Sequence, residues 1–371
     1  MKSKLGLAAL LIASVAGASA SLATAEIPHT ATANAKESEL AEMAPLLLAK
    51  YDVPSVGVAY IENGEIAFVR HFGYQSWGFP ANEETLYNVA SLTKPVTAEV
   101  IMRLVEADRI ALDMPLAEHH VEADVADDSR IAKLTPELVM RHRTGFKNWR
   151  YMTDGVLQFT RDPDTETGYS GEGYEWMMKS AAAATGEGWE GLARELVFDP
   201  AGMPLTGLTE RRDWRGHLAV PYKAGEAVHN EVKQIPLASD DMRTTAREYA
   251  RFLIDVWEGD AVSPKLRARQ RMIPHRTAYR PACQGEDRAD FCPSNQGWGM
   301  GWFIYDYGDR KLVQHSGGDH GEAALAIYDP EARKGYVVLT NGANGGEVMH
   351  RIVGMLDGDE RLAQFLLAGF D

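Results

Sequence analysis

Strand-forming sequence stands at the two ends of this chain and is scarce between them, and that split most limits what it can fold into. Residues 55–61 and 65–72 are β-rich runs separated by Asn63-Gly64, a two-residue hairpin signal. The β signal returns only from Trp298 onward. There, 301–305 and 311–315 flank the turn Tyr307-Gly308-Asp309, and 322–328 and 335–340 read as two more strands. From about 107 to 260 the spacing is helical, clearest over 135–141, 172–184, 189–197 and 245–256. Loops such as Asp162-Pro163-Asp164 and Asp199-Pro200-Ala201-Gly202 interrupt it. An amphipathic helix over 37–50, with Pro45 as a potential break, precedes the first strands, and another over 347–356 follows the last. These elements predict an α+β fold. An antiparallel sheet built from both ends of the chain carries the terminal helices, beside an inserted, mostly helical subdomain. The α/β part covers about 37–95 and 296–371, the helical part about 96–295.

The first residues are of another kind. Lys2 and Lys4 precede an apolar run over 5–18, and Ala18-Ser19-Ala20 and Ala23-Thr24-Ala25 are small-x-small cleavage patterns. This predicts a signal peptide over 1–25, cleaved after about Ala20 or Ala25, and a periplasmic or secreted mature chain. The run is too short to span a bilayer, and no later stretch is apolar for long enough. Residues 26–371 then suffice for one large domain or two intimately joined parts. A formal net charge of −15 argues against nucleic acid and anionic membrane surfaces as partners. Cys283 and Cys292 are the only cysteines. In an oxidising compartment they are expected to pair, closing a short loop rich in Asp, Glu and Arg. By themselves they do not supply the four ligands of a structural zinc site.

Three short stretches could carry chemistry. Ser91 and Lys94 form the chain's single S-x-x-K pair, followed by helical spacing at Val96, Val100, Ile101, Leu104 and Val105. Residues three apart share a helix face, so the lysine can reach the serine hydroxyl. A serine is a weak nucleophile until a neighbour takes its proton, and a lysine in a desolvated pocket can share that work. The start of a helix adds free N–H groups for an oxyanion. Gly168-Tyr169-Ser170-Gly171 places a tyrosine before a helix, where a tyrosinate could act as general base. His315-Ser316-Gly317-Gly318 stands at the end of a predicted strand, where glycines let backbone approach a ligand. Each alone has a plain structural reading: a polar helix start, a packed tyrosine, a β-turn.

Together, and in this order, S-x-x-K, Y-S-G and H-S-G resemble the serine β-lactamase and penicillin-binding-protein family. The resemblance is greatest to its class C β-lactamase-related branch, which includes esterases and D-aminopeptidases. Residues 104–106 and 112–113, His142-Arg143-Thr144-Gly145, Pro200-Ala201-Gly202-Met203 and Gly299-Met300-Gly301-Trp302 add to it. The resemblance implies that Ser91 is acylated and that Lys94 and Tyr169 activate it. It also implies that the N–H groups of Ser91 and Gly318 hold the oxyanion, while His315 and Ser316 line the substrate side. The implied substrate is a small ester, amide, peptide or β-lactam, and no metal or organic cofactor is implied.

Two departures favour an esterase or peptidase over an efficient β-lactamase. Gly171 stands where the β-lactamase pattern has an asparagine, and His315 where many members have a lysine. A lysine is a fixed cation for a substrate carboxylate, whereas histidine is largely neutral at pH 7. An α/β-hydrolase is disfavoured, because residues 168–172 lack the last glycine of G-x-S-x-G. His119-His120 lacks metal-ligand spacing. His320 is close enough to the third motif to line the cleft. The rival from another class is a non-catalytic or slowly acylating penicillin-binding sensor. Retention of Ser91, Lys94 and Tyr169 together argues against it.

Overall fold

The structure is a computed structural model that describes residues 30–229, 231–278, 281–284 and 289–368. The leader expected over 1–25 lies outside the described residues. Among these residues no helix is long and apolar enough to cross a membrane.

The expected sheet forms from the two ends of the chain. Helix α1 (Ala31–Tyr51) leads into β1 (Ser55–Glu62), β2 (Glu65–Ser76) and the short β3 (Phe79–Pro80). The sheet resumes with β4 (Asn295–Trp298), β5 (Phe303–Asp306), β6 (Lys311–Asp319), β7 (Glu322–Asp329) and β8 (Lys334–Thr340). All pairs are antiparallel, in the order β3-β2-β1-β8-β7-β6-β5-β4. The first and last strands to be made thus meet inside the sheet, with Val58 opposite Val338. Asn63 and Gly64 both have positive φ (57° and 78°), as a two-residue hairpin turn with right-handed twist needs.

Side chains alternate across the sheet. Val56, Val58 and Tyr60 join Leu40 and Leu47 of α1 and the terminal helices α8 (Gly345–Asp357) and α9 (Glu360–Leu367) in one apolar layer. Ala59 and Ile61 face the other core, with α2 (Thr93–Glu106) and α6 (Ala246–Glu258). Both faces being covered explains why β7 is buried along its whole length. The helical region supplies α3 (Pro136–Met140), α4 (Gly171–Thr185), α5 (Trp189–Ala193) and α7 (Pro264–Gln270), joined by long connections and single turns. Cys283 and Cys292 are joined by a disulfide, their Cα atoms 5.7 Å apart.

Three expectations need correction. Helix α1 runs unbroken through Pro45, held by the buried Leu40, Ala44, Leu47 and Leu48 on its sheet-facing side. Helix α5 ends at Ala193, and the rest of the expected segment is a π turn, Arg194–Phe198. The strand expected to end at His315 continues to Asp319, pairing residue by residue with β7 as far as Asp319 opposite Glu322. Gly317 therefore lies within a strand, where glycine marks a close approach of backbone rather than a stop.

Candidate active site

The segment before Ser91 is pinned to the helical region by a small ladder. Tyr87–Asn88 pairs with Arg243–Thr244, and Val89 N–H donates to the Met242 carbonyl at 3.1 Å. The chain then turns sharply. Ala90 has φ +46°, a left-handed conformation that costs a non-glycine residue on the order of 1 kcal/mol or more. The surroundings hold it there. Ala90 N–H donates to Asn88 Oδ1 (2.9 Å), and Thr93 Oγ1 donates to the Ala90 carbonyl (2.7 Å). One 3₁₀ turn, Ala90–Leu92, carries Ser91 directly into α2, so the serine stands at a helix start as expected. At the middle of α2, Glu99 lies fully buried between Arg103 and Arg267. Burial alone would push its carboxyl up, but the two guanidiniums outweigh that and hold it below its ordinary range.

Lys94 lies one turn on and is fully buried. Its Nζ donates to Ser91 Oγ at 3.0 Å and to the Ser239 carbonyl at 2.8 Å. Around it stand aromatic faces, with Nζ 4.8 Å from the Tyr169 ring centroid, 5.8 Å from Tyr174 and 6.0 Å from Trp149. Burial holds the Tyr174 hydroxyl well above the ordinary tyrosine range. Only the half-buried Tyr169 opens on the cavity beside Ser91.

The Ser239 carbonyl is aimed by a residue the motifs do not include. Glu175, on α4, accepts the N–H groups of Ala238 (3.1 Å) and Ser239 (3.0 Å) and the Ser239 hydroxyl. Burial pushes its carboxyl up, and those hydrogen bonds and Lys94 oppose the push. Asp240 beside it is pushed up to about 6 by burial, against the pull of Lys94. No sequence signal marks Ser239 or Asp240. Glu175 follows Gly171 by four residues on a predicted helix, a hint too common to act on.

Strand β6 forms the opposite wall. Ser91, Tyr169, His315, Ser316, Gly317 and Gly318 line one cavity of about 480 Å³, with Trp298 beside them. A larger cavity of about 790 Å³ lies between α1 and the end of β2 and contains none of these groups. At Gly317 a Cβ would stand 1.9 Å from the Val89 carbonyl oxygen and 2.9 Å from the Leu92 nitrogen. The strand lies directly against the serine turn, and only glycine permits that.

His315 is buried, and its Nδ1 must donate to the Ser316 carbonyl (2.7 Å), because a carbonyl can only accept. Burial, reinforced by Lys94, pulls the imidazole down to about 3. The ring therefore stays neutral at any ordinary pH and presents no cation to a substrate carboxylate. His320, expected near the cleft, has a side chain 83 % exposed and is not among the cavity-lining residues. It lies past the end of β6, where the hairpin turns it to solvent.

Gly171 shows what replaces the missing asparagine. It is the first residue of α4, and a Cβ there would stand 2.9–3.1 Å from the Trp149 ring. Trp149 thus fills the space beside Lys94 that a side chain at 171 would enter. Gly171→Asn is expected to lower stability by roughly 1–3 kcal/mol, the usual range for overpacking. Thermal melts will show this as a lower Tm, largely restored by adding Trp149→Ala. An unchanged Tm in the single variant would mean that the ring moves aside freely.

Comparison with known proteins bears on the family and the fold. A family model described as Beta-lactamase matches residues 34–356. Penicillin-binding protein 4 of Amycolatopsis lactamdurans is 23 % identical over 325 residues, covering 80 % of this chain and 83 % of that protein. Esterase EstB of Burkholderia gladioli is 27 % identical over 194 residues, covering 44 % of this chain and 49 % of that protein. Among solved structures, the D-alanine carboxypeptidase AmpC of Burkholderia cenocepacia superposes with a TM-score of 0.72 at 16 % identity, covering 88 % of this chain and 99 % of that one. With the sheet, the helical insert and the three motifs assembled around one cavity, the chain belongs to the beta-lactamase family of serine hydrolases.

Proposed function

We propose that the protein is a secreted or periplasmic serine hydrolase that forms an acyl-enzyme on Ser91 and acts on an ester or peptide in preference to a β-lactam. The observation that carries this reading is the 3.0 Å hydrogen bond between Ser91 Oγ and a fully buried Lys94 whose hydrogen-bond acceptors are a hydroxyl and a carbonyl. No carboxylate forms an ion pair with that ammonium among the described residues.

Ser91 Oγ attacks the substrate carbonyl carbon and passes its proton to Tyr169, while the Lys94 ammonium steadies Oγ through its 3.0 Å hydrogen bond, and the carbonyl oxygen becomes an oxyanion. The N–H groups of Ser91 and Gly318, at a helix start and on the facing strand, receive that charge. The leaving group departs with the proton, and water then attacks the acyl ester with Tyr169 as base. The leader pattern and the Cys283–Cys292 disulfide support an oxidising compartment.

The preference for esters or peptides rests on the neutral His315 and on Trp149 in place of an amide at position 171. Intact-mass spectrometry during a β-lactam challenge, run beside p-nitrophenyl ester turnover, tests it. The expected result is multiple turnover of the ester and a long-lived β-lactam adduct. Rapid β-lactam hydrolysis would overturn the preference, and a folded protein with neither adduct nor turnover would point to a binding role.

A further inference from the structure

The tyrosine assigned as base sits in a loop, and a loop needs a mount. His142 supplies three contacts at this one place. Its carbonyl accepts Gly168 N–H at 2.7 Å. Its Nδ1 accepts Ser170 N–H at 3.1 Å. Its ring packs against the Tyr169 ring, with centroids 4.2 Å apart and planes 31° apart. The residues on both sides of Tyr169, and Tyr169 itself, are thus held by one side chain and its own carbonyl.

The local backbone makes this possible. His142 has φ +55°, the left-handed region, which turns its carbonyl and its side chain toward the same loop. The residue ends the turn after α3, with its N–H donating to the Val139 carbonyl at 2.9 Å. The ring is fully buried and meets Trp298 edge-on at 4.3 Å, so it has no room to swing. Nδ1 can accept only if the imidazole is neutral with its proton on Nε2. Burial first, then the Lys94 charge, hold it in that state by lowering its pKa well below the ordinary value.

We infer that His142 is a positioning residue that sets Tyr169 over Lys94 and Ser91, an assignment that rests on the acyl-enzyme reading above. It touches no reacting atom, and because its ring also packs on Trp298 and Tyr174, the Tyr169→Phe background is what isolates the part of its effect that passes through Tyr169. The contrast between two variants isolates the contact. His142→Gly keeps the left-handed backbone but loses acceptor and ring. His142→Asn also tolerates that backbone, and its amide oxygen can still accept Ser170 N–H.

Burst-phase acylation by a p-nitrophenyl ester is the readout, in the parent and in a Tyr169→Phe background. His142→Gly is expected to slow acylation by roughly 10²-fold, the scale of a 1 Å misplacement, with KM little changed. His142→Asn is expected to recover most of that, to within roughly tenfold of the parent. In the Tyr169→Phe background both are expected to have less than about a twofold further effect, because interacting residues are non-additive. Equal losses in the two backgrounds, or parental acylation by a folded His142→Gly chain, would overturn the inference. If the glycine chain does not fold, His142→Phe, which keeps a ring without an acceptor, takes its place in the same cycle. An unaltered rate for Tyr169→Phe alone would instead strike the assignment of Tyr169 as base.

Discussion

Replacing Ser91 by alanine is expected to abolish ester turnover and the β-lactam mass adduct together. The loss should be on the order of 10⁶-fold, the scale seen when a serine hydrolase loses its nucleophile. The same variant tests a structural reading of the serine. Lys94 is fully buried, and Ser91 Oγ is one of its two hydrogen-bond acceptors. Removing the hydroxyl leaves a buried cation with the Ser239 carbonyl as its remaining acceptor, so stability should also fall, by about 1–3 kcal/mol. A denaturation curve and an activity assay on one preparation separate the two effects. A less stable but fully active protein would mean that the serine only satisfies the lysine, and the mechanism would fail.

The second large effect is expected at Gly317. An alanine Cβ there would stand 1.9 Å from the Val89 carbonyl oxygen, and both atoms belong to backbone that has no rotamer to change. Either β6 or the strained turn at Ala90 must shift. The turn is the weaker of the two, since the strand is tied to β7 through Gly317 opposite Ala324. A shift of about 1 Å in the attacking atom costs roughly 10²-fold in rate. Gly317→Ala is therefore expected to lose about that much kcat/KM while remaining folded, as checked by steady-state kinetics and circular dichroism. At Gly318, by contrast, a Cβ would find the Glu322 carbonyl at an ordinary 3.7 Å. Equal activity in Gly317→Ala and the parent would show that the serine turn yields at no cost.

What was legible in the sequence follows the range of the interactions concerned. The two hairpins announced themselves because turn chemistry is local: Asn63-Gly64 needs no distant partner to turn. The pairing of Ser91 with Lys94 was legible for the same reason, three residues on one helical turn. The end of β6 was misread because Gly317 and Gly318 look like strand breakers from within, and only the serine turn packed on Gly317 explains them. Trp149, Glu175 and Ser239 stayed hidden, and His142 showed only as part of the stretch 142–145, without a role. His142 stands 27 residues before Tyr169, and Ser239 donates a carbonyl, an atom every residue has. Their roles come from contacts that exist only after the chain has folded.

The order of the strands also bears on how the molecule is made. Inside the sheet runs the seam where β1 meets β8, joining the start of the described chain to strands near its finish. Until β8 has left the ribosome, or emerged from a membrane pore if the chain is exported, the hairpin of β1 and β2 has an open edge and an uncovered apolar face. Pairings so distant in sequence close slowly, and open edges invite pairing with other chains. Folding to completion must therefore await nearly the whole chain, and the nascent hairpin is the part that most needs shielding until then.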